Sequence, residues 1–508
     1  MDAALDALPS DPESLRAIIA AQAAELRAQG TLIDKLKAQL AALRRARFGA
    51  SSEKIERAIA QLELTLEDIE ACAAQEQPRE PASPGRQERE KPARQPLPDH
   101  LPRVPQLHEA SSCCPDCGGA RFLKAGADVS EVLDYVPASF RVVRHIRPRL
   151  ICKGCDTVVQ ADPPSLPIAR GKPGPGLIAH VLTAKYCDHL PLYRLSEIYA
   201  REGVEIARST MADWVGRSAG LMAPLVDALR AHVFAGSRLH GDDTPVPVLD
   251  PGRGKTKQGR LWAYVRDGRP YGGKAPPAVC YHYSPDRKGI RPQTHLTAFA
   301  GILHADGYAG FKGLYRPDNS GIVEASCWAH VRRKFFDLTV AGPAPVAEEA
   351  LRRIGELYDI EADIRGSPPD QRRKIRQQHA APKVEALRGW FERERARLPG
   401  KSATAQAIRY ALSRWTALAR YLDDGTIEID NNAAERAIRP IALGRKNWLF
   451  AGSDNGGERA ASIASLIGTA RLNGLGPQAY LRDVLTHIAD HPVNRIDELL
   501  PWNFKQAH

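Results

Sequence analysis

Two sets of residues in this sequence have the types and spacings of chemical groups. The first is two C-x-x-C pairs, Cys114 with Cys117 and Cys152 with Cys155. A C-x-x-C turn lets two thiolates meet one tetrahedral zinc ion, and two such turns complete a four-sulfur site. Two matched pairs argue against a redox C-x-x-C; Cys113 is an extra thiol beside the first pair. The second set is carboxylates: Asp242 or Asp243 in HGDDTPVPVL, Asp306 in HADGYAG, and Glu435 in EIDNNAAERAIRP. Each has an ordinary reading. An aspartate after a strand is commonly a turn residue or cap. Glu435 lies three residues after Asn432 and four before Arg439, the spacings of a capping box and of a helix-surface ion pair. Convergence is the alternative. Two strand-end acids joined by a glutamate from a helix make a hard-oxygen site for two Mg²⁺ (or Mn²⁺) ions. Such a site suits in-line phosphoryl transfer. Glu435 is the late acid set among asparagines and arginines, which makes it the natural third member.

Those acids need a sheet and a helix to hold them. RLHGDDTPVPVLD, GRLWAYVRD, AVCYHYSPD and GILHADGYAGF read as four strands, and EASCWAHVRRKFFDL as a helix, giving an α/β layer with a mixed sheet. Pro245 and Pro247 are expected to break the first strand, so alternation does not choose between Asp242 and Asp243. Asn432 is expected to start the helix of Glu435, and Pro440 to shorten or kink it. Residues of about 344–425 read as a helical insertion, and Arg352, Arg353, Arg372, Arg373, Lys374 and Arg376 form a basic face that could hold DNA or simply be solvated.

The remaining modules precede this layer. Leu15, Ile19, Gln22, Leu26, Gln29, Ile33, Leu36, Leu40 and Leu43 follow steps of four and three, the seam of a coiled coil that pairs protomers. A short helix follows, and the proline-rich segment from Gln75 to Gln106 reads as a linker without regular structure. The cysteine pairs are joined by two strands, roughly Val129–Val136 and Phe140–Ile151, the layout of a zinc ribbon. HLPLYRLSEIYAREGVEIARSTMADWVGR has a helix-turn-helix outline, which any helical hairpin shares; Ser209 or Thr210 would cap the second helix, and Arg208 and Arg217 would face DNA. The division is then 1–48 coiled coil, 49–107 short helix and linker, 108–160 zinc ribbon, 161–235 helical module, 236–452 catalytic domain, and 453–508 a helical cap.

The net charge of +11 suits a polyanionic partner. No run of about 18 apolar residues is present, so no transmembrane helix is expected. MDAALDALPSDPESL lacks a basic region followed by an apolar stretch, so no secretory signal is expected and the location expected is the cytoplasm, at the nucleoid.

The chain resembles transposases of the insertion-sequence-66 family. The resemblance rests on RFGASSEKI, CPDCGG with ICKGC, HLPLYRLSEIYAREGV, HGDDTPVPVL, ADGYAG, CWAHVRRKFFD, EIDNNAAERAIRPIALGRKNWLFAGSDNGG and ELLPWN, in family order. It implies an Asp-Asp-Glu site on an RNase H-like fold. Its Asp-acid-Thr motif falls on Asp242-Asp243-Thr244 and favours Asp242; its Asp-Gly-Tyr gives Asp306, and its Asn-Asn-x-x-Glu-Arg gives Glu435. Asp243, often glutamate in the family, is read as a conservative change. The expected function is binding of terminal inverted repeats, metal-dependent cleavage at 3′ ends, and joining of those ends to target DNA. His330, Arg333, Lys334, Arg436, Arg439, Arg445 and Lys446 are expected on DNA phosphates. A homo-oligomer, at least a dimer, and small accessory proteins of the same element are the other expected partners. The rival readings are a non-catalytic DNA-binding protein derived from such a transposase, and a nuclease of the same fold acting on junctions or hybrids.

Overall fold

The computed structural model describes residues 97, 99, 101–109, 112–136, 139–168, 171–250, 255–316, 321–444 and 451–505. The heptad segment, the short helix, most of the linker, Arg445 and Lys446 lie outside them.

The first sheet carries the cysteine pairs. β1 (Arg103–Leu107), β2 (Phe122–Val136), β3 (Ser139–Cys152) and β4 (Val158–Gln160) centre on β3. β2 and β3 are a long antiparallel hairpin, longer than the two strands expected, with Val136 opposite Ser139. β1 corrects the linker reading. It pairs in parallel with β3 despite Pro105, because it lies at a sheet edge where a missing N–H is tolerated.

Four helices follow: α1 (Pro175–Tyr186), α2 (Leu192–Arg201), α3 (Arg208–Leu221) and α4 (Ala223–Phe234). α3 starts at Arg208 after Ala207, with no side-chain cap, so neither Ser209 nor Thr210 is its N-cap. Residues either side of them already serve: the Met211 N–H bonds the Ala207 carbonyl, which begins the helix earlier. The hairpin packs on this module through Tyr135, Phe140, His180 and Tyr199, with the Tyr135 and His180 rings 4.0 Å apart.

The second sheet comprises β5 (Arg238–Asp250), β6 (Lys255–Arg266), β7 (Ala278–Ser284), β8 (Gly301–Ala305) and β9 (Ile322–Ser326), in the order β7-β6-β5-β8-β9. β6 runs antiparallel to both β5 and β7, whereas β5, β8 and β9 are mutually parallel. Two of these strands depart from expectation. β9 includes Glu324–Ser326, so the segment read wholly as helix begins as a strand. β5 passes unbroken through Pro245 and Pro247. The Pro247 carbonyl and the Leu249 N–H both bond Ala451, so the odd-numbered residues there point away from β6. A proline on that side removes no β5–β6 bond.

Strand alternation splits the core in two. Trp262, Tyr264, Cys280 and Leu303 pack with α1–α4 and the chain's last helices. Leu261, Ala263, Val265 and Tyr281 face α12 (defined below) on the other side. A third core holds the helices between β9 and α12. α5 (Ile290–His295) precedes β8; α6 (Trp328–Ala341) follows β9; then come α7 (Pro345–Asp363), α8 (Pro369–Ile375), α9 (Ala381–Arg397), α10 (Ala403–Leu412) and α11 (Trp415–Ala419).

The basic face expected on this insertion is present only in part: Arg352, Arg373 and Lys374 are exposed, while two other members turn inward. Arg372 and Arg376 are buried and bond Glu361, and Arg372 also reaches Glu428 at 2.6 Å. Arg352 and Arg353 both bond Glu349, and Arg353 stacks on Trp390. These cations are consumed by nearby acids that the charge pattern alone did not pair.

α12 (Asn432–Gly444) continues through Pro440, so the proline does not shorten it. α13 (Asp454–Leu472) and α14 (Pro477–His487) follow, then two short 3-10 turns at Val493–Leu499 and Pro501–Asn503. α13 shields the open edge of β7: Thr469 and Ser465 hydroxyls accept from the Val279 and Tyr281 N–H groups at 3.1 and 2.8 Å. The approach is close enough that a Cβ on Gly468 would meet Val279 Cγ1 at 2.7 Å. No helix among the described residues is long and apolar enough to cross a membrane.

Candidate active site

The carboxylates gather at the ends of β5 and β8. The parallel register pairs Gly241 with Ala305, so Asp242 and Asp306 are the next residues along the two central strands. Antiparallel pairing sets Asp242 opposite Ala263 and Asp243 opposite Trp262, and directly opposed residues share a sheet face. Asp242 therefore faces α12, and Asp243 faces the other core.

Asn431 fixes α12 to the strand. It is fully buried. Its side-chain amide donates to the Gly241 carbonyl at 2.9 Å, and its oxygen lies 3.1 Å from His240 Nδ1. Its own N–H donates to Cys327 Sγ at 3.2 Å. Burial holds His240 below its ordinary pKa, so the neutral ring donates its Nδ1 proton to Asn431. The first helical bonds of α12 also run to the Asn431 carbonyl, from Ala434 and Glu435. Asn431, not Asn432, occupies the cap position. Asn432 is held one step later, by Asp430, through its N–H at 3.1 Å and its amide at 2.7 Å.

Glu435 follows in the first turn of α12. Its Oε1 lies 3.7 Å from Nδ1 of His330 on α6, and among the described residues no ion pair joins it to Arg439. Ligand atoms of Cys327, His330 and Glu435 lie within 4.8 Å of one another. The three acids do not form so tight a group among the described residues. They sense one another nevertheless. Burial, opposed by the Asp243 N–H and reinforced by the charges of Asp306, Asp243 and Glu435, pushes Asp242 up to about 7. Buried Cys327 is pushed up to about 12, so its thiol is neutral and ill-suited to ligate as thiolate.

Asp306 lies just past β8. Its Oδ1 accepts from the Tyr308 N–H at 3.0 Å, and Arg414, from the insertion, donates to the Gly307 carbonyl at 2.9 Å. The acids offer oxygen ligands, and Asp242 is disfavoured as an anion first by burial and then by its acidic neighbours; such a set fits a hard divalent cation such as Mg²⁺ or Mn²⁺.

The basic residues singled out in the sequence fall in several places. His330 turns to Glu435 as described. Arg333 is exposed on α6, and Arg436 and Arg439 are exposed on α12, the helix that carries Glu435. Lys334 sits over the Tyr410 ring at 4.5 Å. Arg208 begins α3, and Arg217 bonds both oxygens of Asp213, four residues earlier, at 3.0 Å. Sequence reasoning missed Asn431, although the Asn-Asn doublet ahead of a helix was a visible signal. It also passed over Arg287, which bonds Asp243 and has no sequence signature.

The cysteines meet at the base of the hairpin. Cys114 Sγ is 3.4 Å from Cys155 Sγ, and Cys117 Sγ is 3.6 Å from Cys152 Sγ. All four lie within 4.8 Å of one another. A tetrahedral ion with Zn–S bonds of ~2.3 Å sets sulfurs about 3.8 Å apart, so the four fit structural zinc.

Comparison with known proteins gives four family matches in chain order. The zinc-finger binding domain of transposase IS66 matches residues 111–156, and the Transposase IS66 family itself matches 170–459. The IS66 C-terminal element matches 465–502. A match described as the transposase C of IS166 homeodomain covers 35–105. Among similar proteins, uncharacterized protein y4qI of Sinorhizobium fredii is 39% identical, over 98% of this chain and 98% of its own. Uncharacterized protein y4hP of the same organism is 41% identical, over 93% and 89%.

Proposed function

From a chain that belongs to the IS66 transposase family, we propose a reading of the chemistry: cleavage at the 3′ ends of an insertion sequence and their transfer to target DNA, at Asp242, Asp306 and Glu435. What supports it is that the β5–β8 ladder and Asn431 bring the strand-end acids and the first turn of α12 to one end of the sheet. The Gly241–Ala305 pairing puts Asp242 and Asp306 side by side, and Asn431 ties the helix of Glu435 to Gly241 itself. Strand order supports an RNase H-like core, with β6 as the single antiparallel member of the five.

Asp242, Asp306 and Glu435 would hold Mg²⁺ or Mn²⁺, which when bound supplies Lewis acidity to the phosphoryl group and lowers the pKa of water. The protein's own part is positioning. Asn431 and the β5–β8 ladder set the acids. The exposed Arg333, Arg436 and Arg439 take backbone phosphates beside them. Water attacks the phosphorus at the element end, and the 3′-oxygen leaves as a hydroxyl. That 3′-OH attacks a target phosphodiester in turn, displacing a target 3′-oxygen. Nothing in this sequence of steps requires a covalent protein–DNA intermediate.

The other modules supply the DNA. The zinc-bearing hairpin and α2–α3 read the terminal repeats, and the N-terminal segment pairs protomers so that two ends are held together. The test is cleavage of end-containing DNA by Glu435→Gln. The reading expects end binding to persist and metal-dependent cleavage to disappear. Cleavage at the wild-type rate would overturn it.

A further inference from the structure

We propose that Asp243, Arg287 and Tyr308 form a clamp that positions Asp306 for metal binding, so that both acids of the Asp242-Asp243 pair serve the site from opposite faces of the sheet. This rests on the reading of Asp306 as a metal ligand.

Asp243 carries a charge that needs a reason. The Asp243 side chain is fully buried, and a buried carboxylate is costly unless paired. It has two cations. Arg260, on the neighbouring strand, places Nη1 3.0 Å from Oδ2. Arg287, in the loop after β7, places Nε and Nη2 3.1 and 2.7 Å from Oδ1. One arginine would neutralise the charge. The second continues toward the site.

Arg287 is held on three sides. Its guanidinium carbon lies 3.9 Å from the centroid of the Tyr308 ring. The Tyr308 hydroxyl donates to the Arg287 carbonyl, which closes a loop between the two residues. Nη2 then lies 3.9 Å from Asp306 Oδ2, while Tyr308 donates its N–H to Oδ1. Both oxygens of Asp306 thus face members of the clamp. Asp306 sits beyond the last pair of β8, where the ladder no longer fixes it. The clamp supplies that order.

The geometry requires arginine. A fork is needed to bond Asp243 through two nitrogens while covering the Tyr308 ring; an ammonium on a flexible stem keeps the charge and loses both. Partners that orient metal ligands in this way commonly change metal affinity by about 10–100-fold when removed.

The experiment is Mn²⁺ binding to the full-length, zinc-loaded protein without DNA, followed by electron paramagnetic resonance. Arg287→Lys should bind Mn²⁺ about tenfold more weakly, and Tyr308→Phe about threefold more weakly. Affinity for end DNA should stay within about twofold, and the Mn²⁺ concentration for half-maximal cleavage should rise in parallel with the binding constant. A merely structural role would lower melting temperature without moving that concentration. Wild-type Mn²⁺ affinity in Arg287→Lys overturns the clamp. If that variant does not fold, Tyr308→Phe decides, and unchanged affinity there overturns it. Asp242→Asn separates the two claims: if it too binds Mn²⁺ like wild type, the metal-site reading itself has failed.

Discussion

Replacing Asp242 by asparagine should make the metal-free protein more stable while destroying its cleavage activity. The cause is the charge Asp242 carries. In the fold its pKa rises from 3.8 to about 7, first through burial and then through the neighbouring acids. Between those values the folded state binds the proton that the unfolded state has released. Stability therefore falls as pH rises through this window. At about 1.36 kcal/mol per pKa unit, ionising Asp242 costs up to about 4 kcal/mol above pH 7. Asparagine is nearly isosteric, and its oxygen can still accept the Asp243 N–H bond that Asp242 accepts at 2.8 Å. The variant escapes the cost. The assay is thermal melting in chelator at pH 4.5 and pH 8. The gain should be small at the lower pH and reach several degrees at the higher. Adding Mn²⁺ at pH 8 should narrow it, because the cation offsets the repulsion in wild type alone. A variant less stable than wild type at pH 8, or a difference independent of pH, would refute the reasoning.

Three further outcomes follow from the packing. Asn431→Ala strands the Gly241 carbonyl and His240 Nδ1; at ~1–3 kcal/mol for each unsatisfied buried group, it should cost about 2–5 kcal/mol, read by denaturant titration. Cleavage should fall further than end binding, since α12 loses its tie to β5. Arg376→Ala leaves Glu361 short of a buried partner that donates at 2.6 and 2.7 Å, and should destabilise the insertion by about 3–5 kcal/mol in the same titration. Cys152→Ser should release one zinc equivalent, measured by a chromophoric chelator, and weaken end binding while leaving the melting of the second sheet nearly unchanged.

The parts of this molecule that were legible from sequence are those where a local pattern and a distant contact agree. Two C-x-x-C turns have a single use at their spacing, and the four sulfurs do meet. The apolar runs of β5 to β8 mark strands because alternation and burial coincide there. β9 escaped notice because it is five residues long and runs almost directly into α6. The choice between Asp242 and Asp243 needed the pairing with β6, which shows which face each takes. The prolines hid that alternation, being tolerated where β5 points its odd residues away from β6. Arg372 and Arg376 misled in the opposite way: a run of basic residues is a surface feature until a fold supplies Glu361 and Glu428. Arg287 acts through Asp243, far off in sequence, so no local spacing announces it; the Asn431-Asn432 doublet marks a helix start, but its tie to His240 and Gly241 is not written locally.

In this proposal three acids, far apart in the chain, hold metal at one place. It can be tested without DNA. Fe²⁺ exchanged into a Mg²⁺ site generates hydroxyl radicals that cut the nearest backbone, and the fragment ends can be mapped by mass spectrometry. Cuts should cluster at Asp242, Asp306 and Glu435 together, all three suppressed by excess Mg²⁺ and by Asp242→Asn. Cuts at one of these positions without the other two, or cuts that survive excess Mg²⁺, would contradict it.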